Sequence, residues 1–280
     1  MTALAEGRVV AVAGADGADL HVYETGLVDG LPVLLLHGFL TSAETWRAVL
    51  PALARHRVVL VDLPGFGMSP DPRTDGWTAE RVADLLAGLL DALGLATPAV
   101  VGSQMGGSLA AWLAARHPER VSRLVVMAAG ALGEAAANLG LYRLLATPVL
   151  GAAVARTFPR RLFSAEWAAA HGPGFMPDPA AVARWHRQLQ RRGPAMARFG
   201  LGVRLSYGES FDVLPGLLSG LPTPTLLLFG ADDRLVPPAT GRRFAELLPN
   251  SRLVLLPGCG DFPQEERPAE VAAALTEFLA

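Results

Sequence analysis

At 280 residues with a net charge of −2, the chain has room for one large α/β domain and carries no charge excess to draw it to nucleic acid or an anionic membrane. Half of it is hydrophobic (51%) and only 18% is charged, which excludes a disordered chain. Cys259 is the only cysteine, so an intrachain disulfide and a cysteine-built metal site are excluded as well.

No apolar run reaches the ~18 residues of a membrane span, and no secretion signal opens the chain, so a soluble cytoplasmic protein is expected. Lysine and isoleucine are absent while arginine, alanine and glycine abound, a bias of the kind a GC-rich genome imposes and not a functional signal.

Short apolar runs bounded by Gly or Pro alternate with helical patterns, which predicts a parallel sheet with crossover helices. Strands are predicted at Arg8–Ala13 and Leu20–Thr25, an antiparallel hairpin turning at Ala15-Asp16-Gly17. Further strands are predicted at Val33–Leu36, Val58–Asp62, Ala99–Gly102, Leu124–Met127, Thr225–Phe229 and Arg252–Leu256. Thr41 and Glu44 have capping-box spacing. Thr78 is a plausible N-cap for a helix whose Val82, Leu85, Leu86, Leu89 and Leu93 share one face. Pro268 suits the first residue of a helix running to Leu279. From Ala131 to about Gly220 there are helical patterns and no convincing strand. The expected organisation is therefore a core over 1–130, a helical cap over 131–220, and the rest of the core over 221–280, with the cap above the strand ends where open α/β sheets bind ligands.

Four segments carry chemistry. They are His37-Gly38-Phe39-Leu40 after a buried strand; Asp62-Leu63-Pro64-Gly65-Phe66-Gly67-Met68-Ser69; Gly102-Ser103-Gln104-Met105-Gly106-Gly107 at a strand-turn-helix; and Gly230-Ala231-Asp232-Asp233 with Gly260-Asp261-Phe262-Pro263. Taken in order they resemble the α/β-hydrolase superfamily, in particular its capped esterase, epoxide-hydrolase and C–C-hydrolase members. The resemblance implies an eight-stranded, mostly parallel sheet with helices on both faces and a helical cap insertion.

Two positions depart from that pattern. A nucleophile elbow needs small residues two before and two after its apex. Gly102 and Gly106 meet this only with Gln104 at the apex, and a glutamine is no nucleophile. The elbow predicts a positive φ there. Ser103 would need small residues at 101 and 105, where Val and Met stand, so it is read as a turn residue facing elsewhere. Where the family has Gly-His-Phe-Pro, this chain has Asp261 for the histidine, while Asp233 keeps the acid position ahead of Asp232.

By resemblance, the backbone N–H groups of Phe39 and Met105 form an oxyanion site, oriented by His37. Gln104 adds a donor and an acceptor, and Asp261 with Asp233 makes a carboxylate pair that resists double ionisation and titrates as a unit. Asp62 is read as ordering its own loop. Trp167, Phe175, Met176, Trp185, Tyr207 and Phe211, with Phe262, are candidates to line an apolar pocket; His171 and His186 are read as surface residues of the cap. No metal and no cofactor is expected.

The function expected on these grounds is non-hydrolytic: cyclisation, elimination or isomerisation of an apolar, carbonyl-bearing, polyketide-like intermediate. Two alternatives stay open: a hydrolase in which an aspartate activates water without an acyl-enzyme, and a non-catalytic small-molecule-binding protein. Monomer and homodimer are both open.

Overall fold

The computed structural model describes residues 4, 6–13, 18–72, 74–133, 139–208 and 211–280. Its strands are β1 (Arg8–Ala11), β2 (Asp19–Gly26), β3 (Pro32–Leu36), β4 (Arg57–Asp62), β5 (Ala99–Ser103), β6 (Arg123–Met127), β7 (Thr225–Gly230) and β8 (Ser251–Leu256). Every predicted strand is present to within two residues at each end. They form one sheet in the order β1-β2-β4-β3-β5-β6-β7-β8. β1 and β2 pair antiparallel, as do β2 and β4, and every later neighbour is parallel. The turn expected at Ala15-Asp16-Gly17 lies outside the described residues.

The central strands are buried on both faces, which is why they read as continuous Val/Leu runs without alternation. Helices cover them. α1 (Ala79–Ala92) starts at Thr78, whose hydroxyl accepts the Arg81 N–H at 3.2 Å, and it buries Val82, Leu85, Leu86 and Leu89. α2 (Met105–Arg116) leaves β5 directly. Between β6 and β7 come α3 (Leu139–Ala146), α4 (Pro148–Thr157), α5 (Arg160–Ala169), α6 (Pro179–Leu205) and α7 (Val213–Leu218). α8 (Pro238–Leu247) follows β7, and α9 (Pro263–Glu266) and α10 (Pro268–Leu279) close the chain.

The capping box expected of Thr41 and Glu44 does not form. Thr41 is drawn back into its loop, its hydroxyl donating to the Gly38 carbonyl at 3.0 Å. Ser42 takes over as N-cap of a short 3-10 helix, Ala43–Trp46.

The loops that matter for chemistry leave the carboxyl ends of β3, β5, β7 and β8. The sheet thus brings His37–Phe39, Gln104, Asp233 and Asp261 to one edge, although 224 residues separate the first from the last.

Candidate active site

The turn from β5 into α2 is as tight as its glycines allow. Gln104 has φ 56° and ψ −116°, the left-handed conformation expected of an elbow apex. A Cβ on Gly102 would lie 2.1 Å from the Gly106 carbonyl oxygen, and one on Gly106 would lie 2.2 Å from that of Leu36. Ser103 faces away. It is fully buried and its hydroxyl donates to Gln264 Oε1 at 2.9 Å, whose Nε2 donates to Thr45 Oγ1 at 2.9 Å.

Gln104 folds its side chain across the site. Its Oε1 accepts the Phe39 N–H at 2.7 Å, and its Nε2 donates to Asp261 Oδ2 in a short contact. The backbone donor expected to serve an oxyanion is thereby occupied by the residue at the nucleophile's place. Met105, the other expected donor, makes no such bond to the amide among the described residues. Gly38 is needed because a Cβ there would meet Gln104 Oε1 at 2.7 Å.

Asp261 has no exposed surface. Its N–H donates to the Ala170 carbonyl at 3.0 Å, and its second carboxylate oxygen, Oδ1, has no hydrogen-bond partner among the described residues. Asp233 is arranged the same way: Oδ1 accepts the N–H groups of Leu235 and Val236, both at 2.8 Å, and Oδ2 has no partner among the described residues. Burial, and then the charge of Asp233, push Asp261 well above the usual carboxylate range, against the pull of the Gln104 hydrogen bond. Burial pushes Asp233 up to about 7, against its two backbone donors. Glu266 lies close by, but its carboxylate is satisfied by the N–H groups of Gly172, Gly260 and Phe262. Asp232 stands apart and accepts the Gly258 N–H at 2.8 Å.

His37 orients the loop and stays out of the cavity. Buried completely, its Nδ1 lies 2.7 Å from the Gly38 carbonyl and its Nε2 accepts the Leu63 N–H at 3.0 Å. That pattern requires a neutral ring with the proton on Nδ1, and burial lowers its pKa accordingly. Asp62 orders its own loop as read, accepting the N–H groups of Ala43 and Met68 at 2.8 Å each.

Above Gln104 and Asp261 lies a cavity of about 520 Å³. Of the residues named from sequence, Gln104, Asp261, Phe39, Met105, Trp167, Tyr207 and Phe262 line it. Asp233 is not part of the lining, although its charge acts on Asp261. Trp185 and Phe211 do not reach the cavity: Trp185 is buried against Trp167, and Phe211 is buried with the Arg204 guanidinium 4.3 Å above its ring. Phe175 stacks on His171 and Met176 points into solvent, 87% exposed. His171 and His186, read as surface residues, are both buried: His171 lies between Phe175 and Phe262, and His186 bonds the Phe158 carbonyl at 2.8 Å.

The lining also includes Leu141, Tyr142, Leu145, Glu166, Leu189, Gly200 and Arg204, which sequence reasoning missed. Helical spacing held the signal. Leu141 and Leu145 share a face of α3, and Gly200 and Arg204 fall seven and three residues before Tyr207. Tyr142 packs its ring on Phe39, centroids 4.8 Å apart, and burial raises its pKa to about 12, so its hydroxyl stays protonated. Among the described residues no cluster of His, Cys, Asp and Glu is placed to hold a metal ion, and no helix is long and apolar enough to cross a membrane.

This elbow, oxyanion loop and acid loop define the class, and comparison with known proteins agrees. Residues 32–268 match the family model for the alpha/beta hydrolase fold, and the chain belongs to that family. It is 30% identical over 291 residues to 2-hydroxymuconate semialdehyde hydrolase of Pseudomonas sp. strain CF600, covering 95% of this chain and 92% of that one. It is 32% identical over 279 residues to 2-hydroxy-6-oxo-2,4-heptadienoate hydrolase of Pseudomonas putida, covering 95% and 94%. A thermophilic esterase from Thermogutta terrifontis superposes with a TM-score of 0.78 at 29% identity, covering 98% of both chains.

These names correct the expectation of a non-hydrolytic cyclase, lyase or isomerase acting on a polyketide-like intermediate. Similar chains are hydrolases over nearly their full length. Their names favour the alternative of a hydrolase over the non-hydrolytic reading.

Proposed function

We propose that this chain is a hydrolase that cleaves a bond beside a carbonyl in an apolar small molecule, with water activated by Asp261 and no acyl-enzyme. The observation that carries this reading is the carboxylate pair, in which Asp261 and Asp233 are both buried and each keeps one oxygen without a partner among the described residues. Two such groups share a proton near neutral pH, because ionising both in one buried place is costly. The ionised member of the pair is a base of the right strength at neutral pH.

The chemistry balances with these groups alone. Asp261 takes one proton from water as the water oxygen adds to the carbonyl carbon. The tetrahedral intermediate then expels the leaving fragment, which recovers the proton from Asp261, so R–CO–X and water give R–COOH and HX. Tyr142 and Met105 line the same cavity, and in this reading the hydroxyl of one and the N–H of the other serve the carbonyl oxygen. Gln104 has no hydroxyl or thiol to acylate.

The substrate class rests on the cavity and on the relatives. The cavity is lined by Leu141, Leu145, Phe158 and Leu189, with few polar groups. The relatives' names specify a semialdehyde and an oxo-dienoate, each with a carbonyl on an unsaturated chain. No cofactor enters the scheme.

A single turnover of 2-hydroxy-6-oxo-2,4-heptadienoate in ¹⁸O-labelled water tests it. One label in the acid product, with the quenched protein unchanged in mass, supports the reading. A protein adduct carrying the acyl fragment contradicts it.

A further inference from the structure

We propose that the outer face of the cap, formed by α3, α4 and α5, docks on a bilayer surface rich in anionic phospholipid, with the mouth of the cavity turned toward the lipid. The proposal goes beyond the hydrolysis above and does not depend on which groups perform it.

Charge makes the first argument. The net charge of −2 hides an uneven distribution. Residues 139–208 hold ten arginines against two acidic residues, Glu166 and Asp178, whereas the rest of the chain holds fourteen arginines against twenty-four acidic residues. The arginines of this segment divide by position. On α6, which bonds the core through Gln188 and Arg192, Arg184 pairs with Glu44, Arg192 with Asp71 and Arg198 with Asp75. On the three helices packed outside α6, Arg143, Arg156, Arg160 and Arg161 are all exposed, and none pairs with an acidic residue among the described residues. Basic groups left to solvent on one part of an otherwise acidic chain fit an anionic surface.

Apolar exposure makes the second. Val149 and Leu150 on α4 are 84% and 57% exposed, and Leu162 on α5 is 48% exposed. They alternate with the arginines along the chain. That mixture suits a bilayer interface, where aliphatic groups enter the acyl boundary and guanidinium groups meet phosphate. Nucleic acid offers these aliphatic side chains nothing, and none of the three is an aromatic that would stack on a base.

The cavity makes the third. Leu162, Glu166 and Ala169 recur at helical spacing on one side of α5; all three line the cavity and are themselves exposed, so the cavity opens along that helix. Phe158, between α4 and α5, lines it as well. An apolar substrate concentrates in a bilayer, and a mouth held against the bilayer receives it without a passage through water.

Vesicle flotation, with a polarity-sensitive dye on one introduced cysteine, tests this. Cys259 is buried, so the introduced cysteine takes the label. The native chain is expected to float with vesicles of equal parts phosphatidylcholine and phosphatidylglycerol and not with phosphatidylcholine alone. Raising sodium chloride from about 0.1 M to about 1 M should release it. Dye at Ala165→Cys, on α5, is expected to shift to the blue on the anionic vesicles, and dye at Val28→Cys, an exposed residue between β2 and β3, is expected not to. Arg160→Gln with Arg161→Gln, and separately Val149→Ser with Leu150→Ser, should each weaken flotation at least about tenfold with the unfolding temperature unchanged. No flotation of the native chain, equal flotation with both vesicle types, a shift at Val28 as large as at Ala165, or double variants that float like the native chain would overturn the proposal. Tighter binding to a DNA duplex than to the anionic vesicles would overturn it as well.

Discussion

Asp233 and Asp261 are matched in their bonding: in each, one carboxylate oxygen is held by a donor and the other is buried without a partner among the described residues. An aspartate of an unfolded chain releases its proton near pH 4, whereas folded Asp233 keeps its own to about 7. Between those values the folded state binds the extra proton, so stability is highest at the acid end, falls as pH rises through the window, and levels off above it. Urea denaturation between pH 4.5 and 8 is expected to show that fall, on the order of a few kcal/mol. Asp233→Asn keeps an oxygen for the Leu235 and Val236 N–H groups and has no charge to bury, so its profile should be flatter and higher at pH 8. Parallel profiles for the two proteins would show that the carboxylate at 233 is not strained by burial.

The elbow gives a second expectation. A methyl group on Gly102 would overlap the Gly106 carbonyl oxygen at 2.1 Å, a backbone atom that cannot swing aside. Gly102→Ala is expected to cost roughly 3 kcal/mol or more, in the range of severe backbone strain. Ala at Gly94, where nothing lies within 4 Å but φ is 65°, should cost nearer 1 kcal/mol. Equal losses at the two sites would mean that the turn is not closed as described.

Ser103 is the one serine beside the apex, and its hydroxyl is committed to Gln264 in the buried Gln264–Thr45 network. Serine-directed fluorophosphonates should therefore leave the native chain unlabelled, as read by intact mass. Ser103→Ala strands a buried amide oxygen and should cost about 1–3 kcal/mol of stability without altering turnover. Stoichiometric labelling at Ser103 would make Ser103 the nucleophile and contradict the absence of an acyl-enzyme.

Most of the fold was legible because buried parallel strands leave an unmistakable trace: Val58–Asp62 or Thr225–Phe229 can hardly be anything else between their Gly and Pro boundaries. The frame of the site was legible for a similar reason, since Gly102 and Gly106 admit only position 104 as the apex. What the residues did not disclose was conformational. That Gln104 turns back onto Phe39 and Asp261 depends on a side-chain rotation that no local pattern encodes. Trp167 and Trp185 look equivalent in sequence, but helix packing turns one toward the cavity and buries the other. The choice between a non-hydrolytic reaction and hydrolysis by an aspartate-activated water is not encoded in the types of residue at 104 and 261, and the similarity to hydrolases favours the second.

The central claim, that Asp261 is the proton acceptor of a hydrolysis without an acyl-enzyme, is tested most directly by Asp261→Asn. Asparagine keeps the size of the side chain and the contact to Gln104 but cannot take a proton. With 2-hydroxy-6-oxo-2,4-heptadienoate, or another oxo-dienoate that the native chain turns over, kcat should fall by about 10²–10⁴-fold while KM changes little. Native kcat should also rise with pH through the titration of the pair, and the residual rate of the variant should lose that dependence. An Asp261→Asn protein that turns over at the native rate with the native pH profile would contradict the account.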